Sequence, residues 1–445
     1  MKKITFIYPA VGKKSGLKYI KTWKMEPLLI ATLAASTPDD IDREFFDDRL
    51  ELIDYETKTD LVAITVETYT ALRAYRIAEK FRKQGIPVIV GGYHPTHMPE
   101  EASEYADSVV VGNAEGVWDQ IIHDARVNRL QKRYQGKPMF SSVLPDRRIF
   151  DGKKYLKLGL VETGRGCPFK CEFCHITSFY KAEYHPRPIK QVIEDIKQTG
   201  KNFFFFVDDN LVANPSYTIE LCKEMAKLNI RWAGQGTITM AKNPELLKWM
   251  KKSGCCMLLI GFESLDDKNL EQMNKGWSSK LGERDELVQK IHDVGISIYA
   301  TFIFGFDHDT QDTFKKAVEF SLKHKFFYAA FNHLLPYPGT PLYERLKKEN
   351  RLIRENWWLE DGYKYGDIAF IPCNMSGEEL SIRCVEARKE FFKYSSIARR
   401  GLELLKRNPS ISLLSIFTQS NFNLKEEVSG KYGLPLGRGL DELPK

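Results

Sequence analysis

The sequence predicts an α/β protein in three parts: an amino-terminal doubly wound parallel sheet, a partial (β/α)6 barrel, and a helical carboxyl-terminal extension. Short β-branched or aromatic runs alternate twice over with amphipathic stretches, the pattern of parallel strands joined by crossover helices. Several of those stretches also carry their own punctuation, with Asn-Pro at the start or glycine at the end. The expected divisions are 1–125 for the first domain, 126–156 for a basic, Gly- and Pro-punctuated linker, 157–340 for the barrel, and 341–445 for the extension.

In the first domain, residues 3–9, 43–47, 61–66, 86–91 and 108–112 read as strands. Residues 70–84 read as a helix with Leu72, Ala74, Ile77, Ala78 and Phe81 along one face. A doubly wound sheet takes its ligand beyond the carboxyl ends of its strands. The stretch Gly91-Gly92-Tyr93-His94-Pro95-Thr96-His97 sits at such an end, where two glycines let a ligand approach the backbone. Lone loop histidines such as His94 and His97 are more often turn or surface residues.

The barrel begins with a strand at 158–163, followed at once by a loop with three cysteines. Strands at 202–207, 231–235, 256–261, 296–304 and 326–335 then alternate with helices at 188–199, 215–228, 244–253, 284–294 and 311–324. Active residues of parallel barrels stand at strand carboxyl ends. Asp208-Asp209-Asn210, Gln235, Glu263-Ser264 and Gly305 occupy those places. An Asp-Asp pair is equally a turn or cap in isolation, and its position at the barrel mouth favours function for Asp209. Cys222, Cys255 and Cys256 fall in helix or strand patterns and read as packed hydrophobes.

In the extension, Ser376-Gly377-Glu378-Glu379 is a capping box that opens a helix running to about Leu405. The segment 355–373, with Trp357, Trp358, Tyr363, Tyr365 and Phe370, is core or a lid over the open barrel side. The last ~20 residues are charged and glycine-rich, and disorder is expected there.

Composition narrows the function classes. The chain has 445 residues, is 43% hydrophobic, and contains no apolar run approaching the ~18 residues of a membrane span. Eight cysteines in a chain of this size do not form a secreted disulfide framework, so a soluble protein in a reducing cytoplasm is expected. The net charge of +7 is spread among acids without a basic stripe, which argues against a nucleic-acid groove.

The chemistry concentrates in Gly164-Arg165-Gly166-Cys167-Pro168-Phe169-Lys170-Cys171-Glu172-Phe173-Cys174-His175. Three thiols on one short loop can turn inward on a single inorganic centre, and thiolates are the ligands of iron–sulfur clusters. A cubane has four irons, so three cysteines leave one open for chemistry. Cys167, Cys171, Cys174 and His175 can also close a zinc site, although structural zinc ligands usually come as two separated pairs. Cys171 to His175 further matches the c-type haem attachment pattern. That reading needs export, and Met1 to Pro9 reads as a strand without a long apolar signal core.

The CxxxCxxC spacing, with Phe173 before its last cysteine, resembles the signature of the radical SAM superfamily. The resemblance implies a [4Fe-4S] cluster on Cys167, Cys171 and Cys174, with S-adenosylmethionine chelating the open iron and cleaved to a 5′-deoxyadenosyl radical. It further implies S-adenosylmethionine contacts at Phe173, Asp209, Asn210, Gln235, Glu263, Ser264 and Gly305. An electron donor such as a flavodoxin or ferredoxin is implied too. The Val90-Gly91-Gly92 to Thr96 stretch, the turn Val111 to Gly116, and the loop Pro336-Tyr337-Pro338-Gly339-Thr340-Pro341 are similar to the cobalamin-binding branch of that superfamily. This is the branch of anaerobic magnesium-protoporphyrin cyclases, P-methylases and hopanoid methylases. Cobalamin contacts are implied at Thr65, Gly91, Gly92, His94 and Gly112.

One departure stands out. The cobalt-ligating Asp-x-His-x-x-Gly of other cobalamin domains is absent after the second strand, where the chain reads Phe46-Asp47-Asp48-Arg49-Leu50-Glu51. Cobalamin would bind without that ligand, or the fold persists without cofactor. With cobalamin the expected reaction is methyl transfer to an unactivated carbon, one S-adenosylmethionine donating the methyl group and a second the radical. Without it, cyclisation, oxidation or carbon–carbon coupling is expected. The substrate is a small molecule, an apolar lipid or a tetrapyrrole. A different class, a non-catalytic iron–sulfur or zinc redox protein, shares the cysteine loop. A methylthiotransferase acting on transfer RNA would bring a basic terminal barrel module where this chain has helices.

Overall fold

The computed structural model describes residues 1–137, 140, 143–407 and 409–440. The amino-terminal sheet consists of β1 (Lys3–Tyr8), β2 (Asp42–Asp47), β3 (Leu61–Thr65), β4 (Val88–Gly91), β5 (Ser108–Val111) and β6 (Arg133–Gln135). All pair in parallel, in the order β2-β1-β3-β4-β5-β6. That order reverses between β1 and β3, which opens a ligand crevice at their carboxyl ends. The strand cores are almost wholly buried because helices cover both faces: Ala71–Lys83 on one, Leu28–Ser36 and Trp118–Arg126 on the other.

The stretch read as a linker contributes β6, an edge strand. Its three residues include only one apolar side chain, Tyr134, which is 2% exposed and donates its hydroxyl to Asp124. A single anchor between polar neighbours leaves no periodic signal.

The second sheet contains β7 (Gly159–Val161), β10 (Phe203–Phe206), β11 (Arg231–Gly236), β12 (Cys255–Glu263), β13 (Ser297–Phe304) and β14 (Tyr328–His333), in the order β14-β13-β12-β11-β10-β7. All neighbours are parallel, and the sheet has the six strands expected of the partial barrel. Along β13, Ile298, Ala300, Phe302 and Phe304 are buried against the helices, while Tyr299, Thr301 and Ile303 face the half-open lumen. Between β7 and β10 an antiparallel ribbon, β8 (Gly164–Gly166) with β9 (Tyr184–Pro186), brackets the cysteine loop.

The extension differs from expectation in two places. The long helix is two, Gly377–Phe391 and Tyr394–Arg407. The break admits the buried Arg400 guanidinium, which donates to the carbonyls of Phe391, Phe326 and Phe327 and to Asn421 Oδ1. The tail is built into the fold: a helix over Ile411–Lys431 leads to β16 (Leu434–Pro435), which pairs with β15 (Lys364–Tyr365), and Leu434, Leu436 and Leu440 are buried. Residues 441–445 lie outside the described residues.

In segment 355–373 the core alternative holds for Trp357, Trp358, Tyr363 and Phe370. Trp357 and Trp358 are fully buried in the apolar cluster of Val62, Ile64 and Ile77. Trp358 Nε1 donates to Glu101 at 3.0 Å and Trp357 Nε1 to the Pro336 carbonyl at 3.1 Å, so the segment ties the first domain to the last barrel loop. Among the described residues no helix is long and apolar enough to cross a membrane.

Candidate active site

The cysteine loop leaves β8 at the barrel mouth, and its path is fixed by contacts on every side. Gly166 has φ +82°, and a Cβ there would lie 2.1 Å from the Glu183 carbonyl, so only glycine fits the hairpin that launches the loop. Its N–H donates to Asp209 Oδ2 at 2.8 Å. Glu172 sits mid-loop, its carboxylate held by Arg345 at 2.9 Å, while its own N–H donates to the Met273 carbonyl at 3.1 Å. Phe169 stacks on Trp277 with ring centroids 4.0 Å apart. Arg165 binds Glu162 at 2.8 Å and Glu115 of the first domain at 2.7 Å, which fastens the loop's entry to the neighbouring sheet.

Cys167, Cys171 and Cys174 carry free thiols on this loop. Burial pushes all three thiols up, Cys171 to about 12. Asn210 Nδ2 donates to Cys167 Sγ at 3.4 Å, and its Oδ1 is buried without a partner among the described residues. No group of three or more His, Cys, Asp or Glu among the described residues is gathered as a single metal ion would gather them. A cubane instead takes its thiolates on separate irons, and this set of three half-buried sulfurs with an unpaired amide oxygen alongside fits such a group.

Around the loop, the expected S-adenosylmethionine contacts fall into two sets. Phe173, Asp209, Asn210 and Glu263 stand at the mouth. Phe173 packs edge-on against Phe306 at 6.3 Å, and burial pushes the Asp209 carboxyl up to about 6. Glu263 ends β12 with φ +62°, at a register shift against β13, and this bulge aims its carboxylate at Lys275 Nζ, 2.9 Å away. Burial pulls the Lys275 ammonium down, but Glu263 and the nearby Cys171 more than offset this and hold it above its ordinary value. Gln235 lies half-buried in β11, and its carbonyl accepts the Leu211 N–H at 2.9 Å.

Ser264 and Gly305 are engaged by the protein itself. Ser264 Oγ accepts the Asp266 N–H at 3.1 Å, and Gly305 N–H donates to Asp309 at 2.7 Å. A Cβ on Gly305 would meet Phe370 at 2.8 Å, so packing alone requires this glycine. Asp208, left open between cap and site, is a structural anchor: its carboxylate takes the Thr163 N–H at 2.7 Å and the Thr163 hydroxyl.

At the ends of β3, β4 and β5, Thr65, Gly91, Gly92 and Gly112 line a cavity of about 410 Å³ whose floor includes Ala63, Ile89, Val110 and Trp118. Folded cores rarely keep voids larger than a water, and this volume is that of a ligand pocket. It fits part of a large cofactor. His94 does not belong to it. The ring is fully buried, with Nε2 at 2.9 Å from Glu101 and Nδ1 at 3.3 Å from Thr68, so the helix Tyr93–His97 turns it inward. His97 emerges instead, lining a second cavity of about 510 Å³ with His175, Tyr93 and Tyr337. Burial lowers both histidines to about 4, leaving them neutral.

The departure after β2 also has a structural form. Asp47 and Arg49 make a buried bidentate pair at 2.6 and 2.8 Å, and Asp48 pairs with Arg73 at 2.9 Å. Buried ion pairs thus fill the turn from which the Asp-x-His-x-x-Gly pattern is absent.

Three cavities form one run. The first shares Tyr8, Glu67, Tyr93 and Leu160 with the second. The second shares Tyr69, Tyr337 and Tyr365 with a third, of about 220 Å³, beside Phe173 at the barrel mouth. Glu67, which no sequence signal marked, sits at the first junction, and burial pushes its carboxyl up to about 7.

Residues 161–321 match the Radical SAM superfamily, and residues 25–122 match the B12 binding domain. The chain is 34% identical over 388 residues to the bacteriochlorophyllide d C-12(1)-methyltransferase of Chlorobaculum tepidum, covering 84% of this chain and 83% of that one. It is 26% identical to the hopanoid C-2 methylase of Rhodopseudomonas palustris over 75% of this chain and 66% of that one. A solved structure, the cobalamin-dependent S-adenosylmethionine radical enzyme OxsB, has the same fold, with TM-score 0.66 at 14% identity over 95% of this chain and 72% of that one. The chain therefore belongs to the radical SAM enzymes that carry a cobalamin-binding domain, with a [4Fe-4S] cluster, S-adenosylmethionine and cobalamin as cofactors and methyl transfer as its reaction.

Proposed function

We propose that this enzyme places a methyl group on an unactivated carbon of a chlorophyllide-type tetrapyrrole. The observation that carries the reading is the continuous run of three cavities from the first domain's strand ends to the cysteine loop. A relative that resembles this chain over most of its length is named for methylating bacteriochlorophyllide d. A flat aromatic macrocycle suits the second and third cavities, where Tyr69, Tyr337 and Tyr365 offer faces for stacking.

Cys167, Cys171 and Cys174 would hold the cluster, and Thr65, Gly91, Gly92 and Gly112 would border the cobalamin. When bound, these groups supply one-electron reduction and methyl transfer. The chain's own residues do the positioning. Asn210 donates to Cys167 Sγ, and a hydrogen bond to a ligating sulfur raises a cluster's potential. The Lys275–Glu263 pair offers a carboxylate and an ammonium to the amino and carboxylate ends of S-adenosylmethionine. Trp357 and Trp358 pack behind Tyr69, which with Tyr365 lines the cavity, and the group joins the two domains and excludes water from it. A flavodoxin or ferredoxin would deliver the electron.

The test is anaerobic turnover of bacteriochlorophyllide d with reconstituted enzyme, S-adenosylmethionine and a reductant. The expected product has gained one methylene in mass, with 5′-deoxyadenosine and S-adenosylhomocysteine formed alongside. A dehydrogenated or cyclised product without that gain would replace methyl transfer by the oxidative reading.

A further inference from the structure

The third cavity has a charged corner that neither the cluster nor the cobalamin accounts for. It lies on the open side of the barrel, where the helix Gly377–Phe391 packs against the edge strand β14. Asn332, His333, Tyr365, Ser381, Arg388 and Tyr432 line it. Arg388 pairs with no carboxylate among the described residues. Its hydrogen bond there is to Asn332 Oδ1, at 2.6 Å, which fixes the plane of the guanidinium and leaves further N–H groups to give. His333 stands beside it with Nε2 buried and unpartnered. Burial and the Arg388 charge hold this imidazole down to about 4, so it stays neutral beside the cation.

We propose that Arg388, oriented by Asn332 and flanked by His333, receives a carboxylate of the substrate and thereby fixes which edge of the macrocycle faces the reacting centre. The inference rests on the tetrapyrrole reading above and sharpens it. A guanidinium fork matches a carboxylate in geometry and charge, and a half-buried cation without an acid is costly unless a ligand supplies one. A cavity of 220 Å³ is too small for the whole macrocycle, but it accepts an acid side arm and the ring edge that bears it. The rest of the ring lies against Tyr69, Tyr337 and Tyr365, which the larger cavity shares. An uncharged polycyclic lipid offers this corner nothing. The arginine is therefore a specificity residue, and Asn332 is a positioning residue.

The experiment is an equilibrium titration, by absorbance and fluorescence, of the anaerobically reconstituted holoenzyme with bacteriochlorophyllide d and with its propionate methyl ester. Wild type should bind the acid at least about tenfold more tightly than the ester, the step of one ordinary charge-assisted contact. In Arg388→Ala the acid should fall to the ester's affinity while the ester is little changed, and Arg388→Lys should recover part of the preference. A wild-type enzyme that binds acid and ester equally overturns the inference and leaves the tetrapyrrole reading standing. Equal loss of both ligands in Arg388→Ala also overturns it, marking the residue as structural. If wild type binds neither chlorin, the tetrapyrrole reading itself has failed and the inference with it.

Discussion

The two six-stranded parallel sheets of this chain present their strand ends to ligands by opposite means. At the barrel mouth the surface is built from ionisable side chains: three thiols, Asp209, and the Glu263–Lys275 pair. At the ends of β3, β4 and β5 it is built mostly from backbone and small or apolar side chains around a void, with Ala63, Gly91, Gly92 and Gly112 in its lining and Glu67 and Glu115 the ionisable groups that follow β3 and β5 there. A centre held by coordination needs particular residue types at particular spacings. A centre held by a cavity needs only that bulk be missing. The first kind of site should collapse when one side chain changes, and the second should tolerate most changes except those that fill it.

The largest effect tests the first half of that contrast. Cys171→Ala should lower iron and sulfide content and reduce 5′-deoxyadenosine formation to background, while corrinoid binding persists. Parallel loss of corrinoid would mean that the two sites fold as one. Next comes Lys275→Met, which leaves Glu263 buried without its cation. Such a loss costs about 3–5 kcal/mol when a buried pair is broken on one side, visible as a lower denaturation midpoint. The double variant Lys275→Met with Glu263→Gln should regain most of it, since no uncompensated charge remains. Ala63→Phe tests the other half. The new ring points into a void that already exists, so folding should change by less than about 1 kcal/mol, and iron content should be unaltered. Corrinoid per protein should fall about tenfold, the equivalent of about 1.4 kcal/mol. Unchanged corrinoid content would show that the cofactor does not use this cavity.

The same contrast explains what could be read from the sequence. Both sheets announced themselves, because buried parallel strands are unbroken apolar runs and their crossover helices have a 3.6-residue period. The cysteine loop was legible because coordination fixes spacing. Lys275 was not, since it lies twelve residues beyond Glu263 and meets it only through the bulge at the end of β12. His94 was misplaced because a motif gives a position on a loop and not a direction. Two polar neighbours, Glu101 and Thr68, decide that direction from elsewhere in the chain. Trp357 and Trp358 were ambiguous for a related reason: an aromatic pair looks alike whether it covers a ligand or joins two domains. The ordered tail was hidden by its composition, because three leucines spaced across a glycine-rich stretch carry no period.

The smallest effect concerns how the extension is held to the barrel. His292 lies on the helix Arg284–Asp293, 6% exposed, and its Nδ1 accepts from Arg407 Nη1 at 2.7 Å. Burial first, then the charges of Arg407 and His324, lower this imidazole to about 3. The neutral ring is thus the form the fold requires. An unfolded chain takes up a proton near pH 6.5 that the folded chain refuses, so this contribution is whole above that pH and is lost as pH falls toward about 3. Between pH 7 and pH 6 the loss should be about 0.7 kcal/mol for one such group. Once the intrinsic slowing of exchange with falling pH is divided out, exchange of the helix Tyr394–Arg407 should be about threefold faster at pH 6 than at pH 7. His292→Gln keeps an acceptor for Arg407 but does not titrate, so it should flatten that dependence while the exchange of β1 and β3 stays as it was. A pH response surviving in His292→Gln would move its origin to His324, whose Nε2 meets Asp285 on the same barrel face.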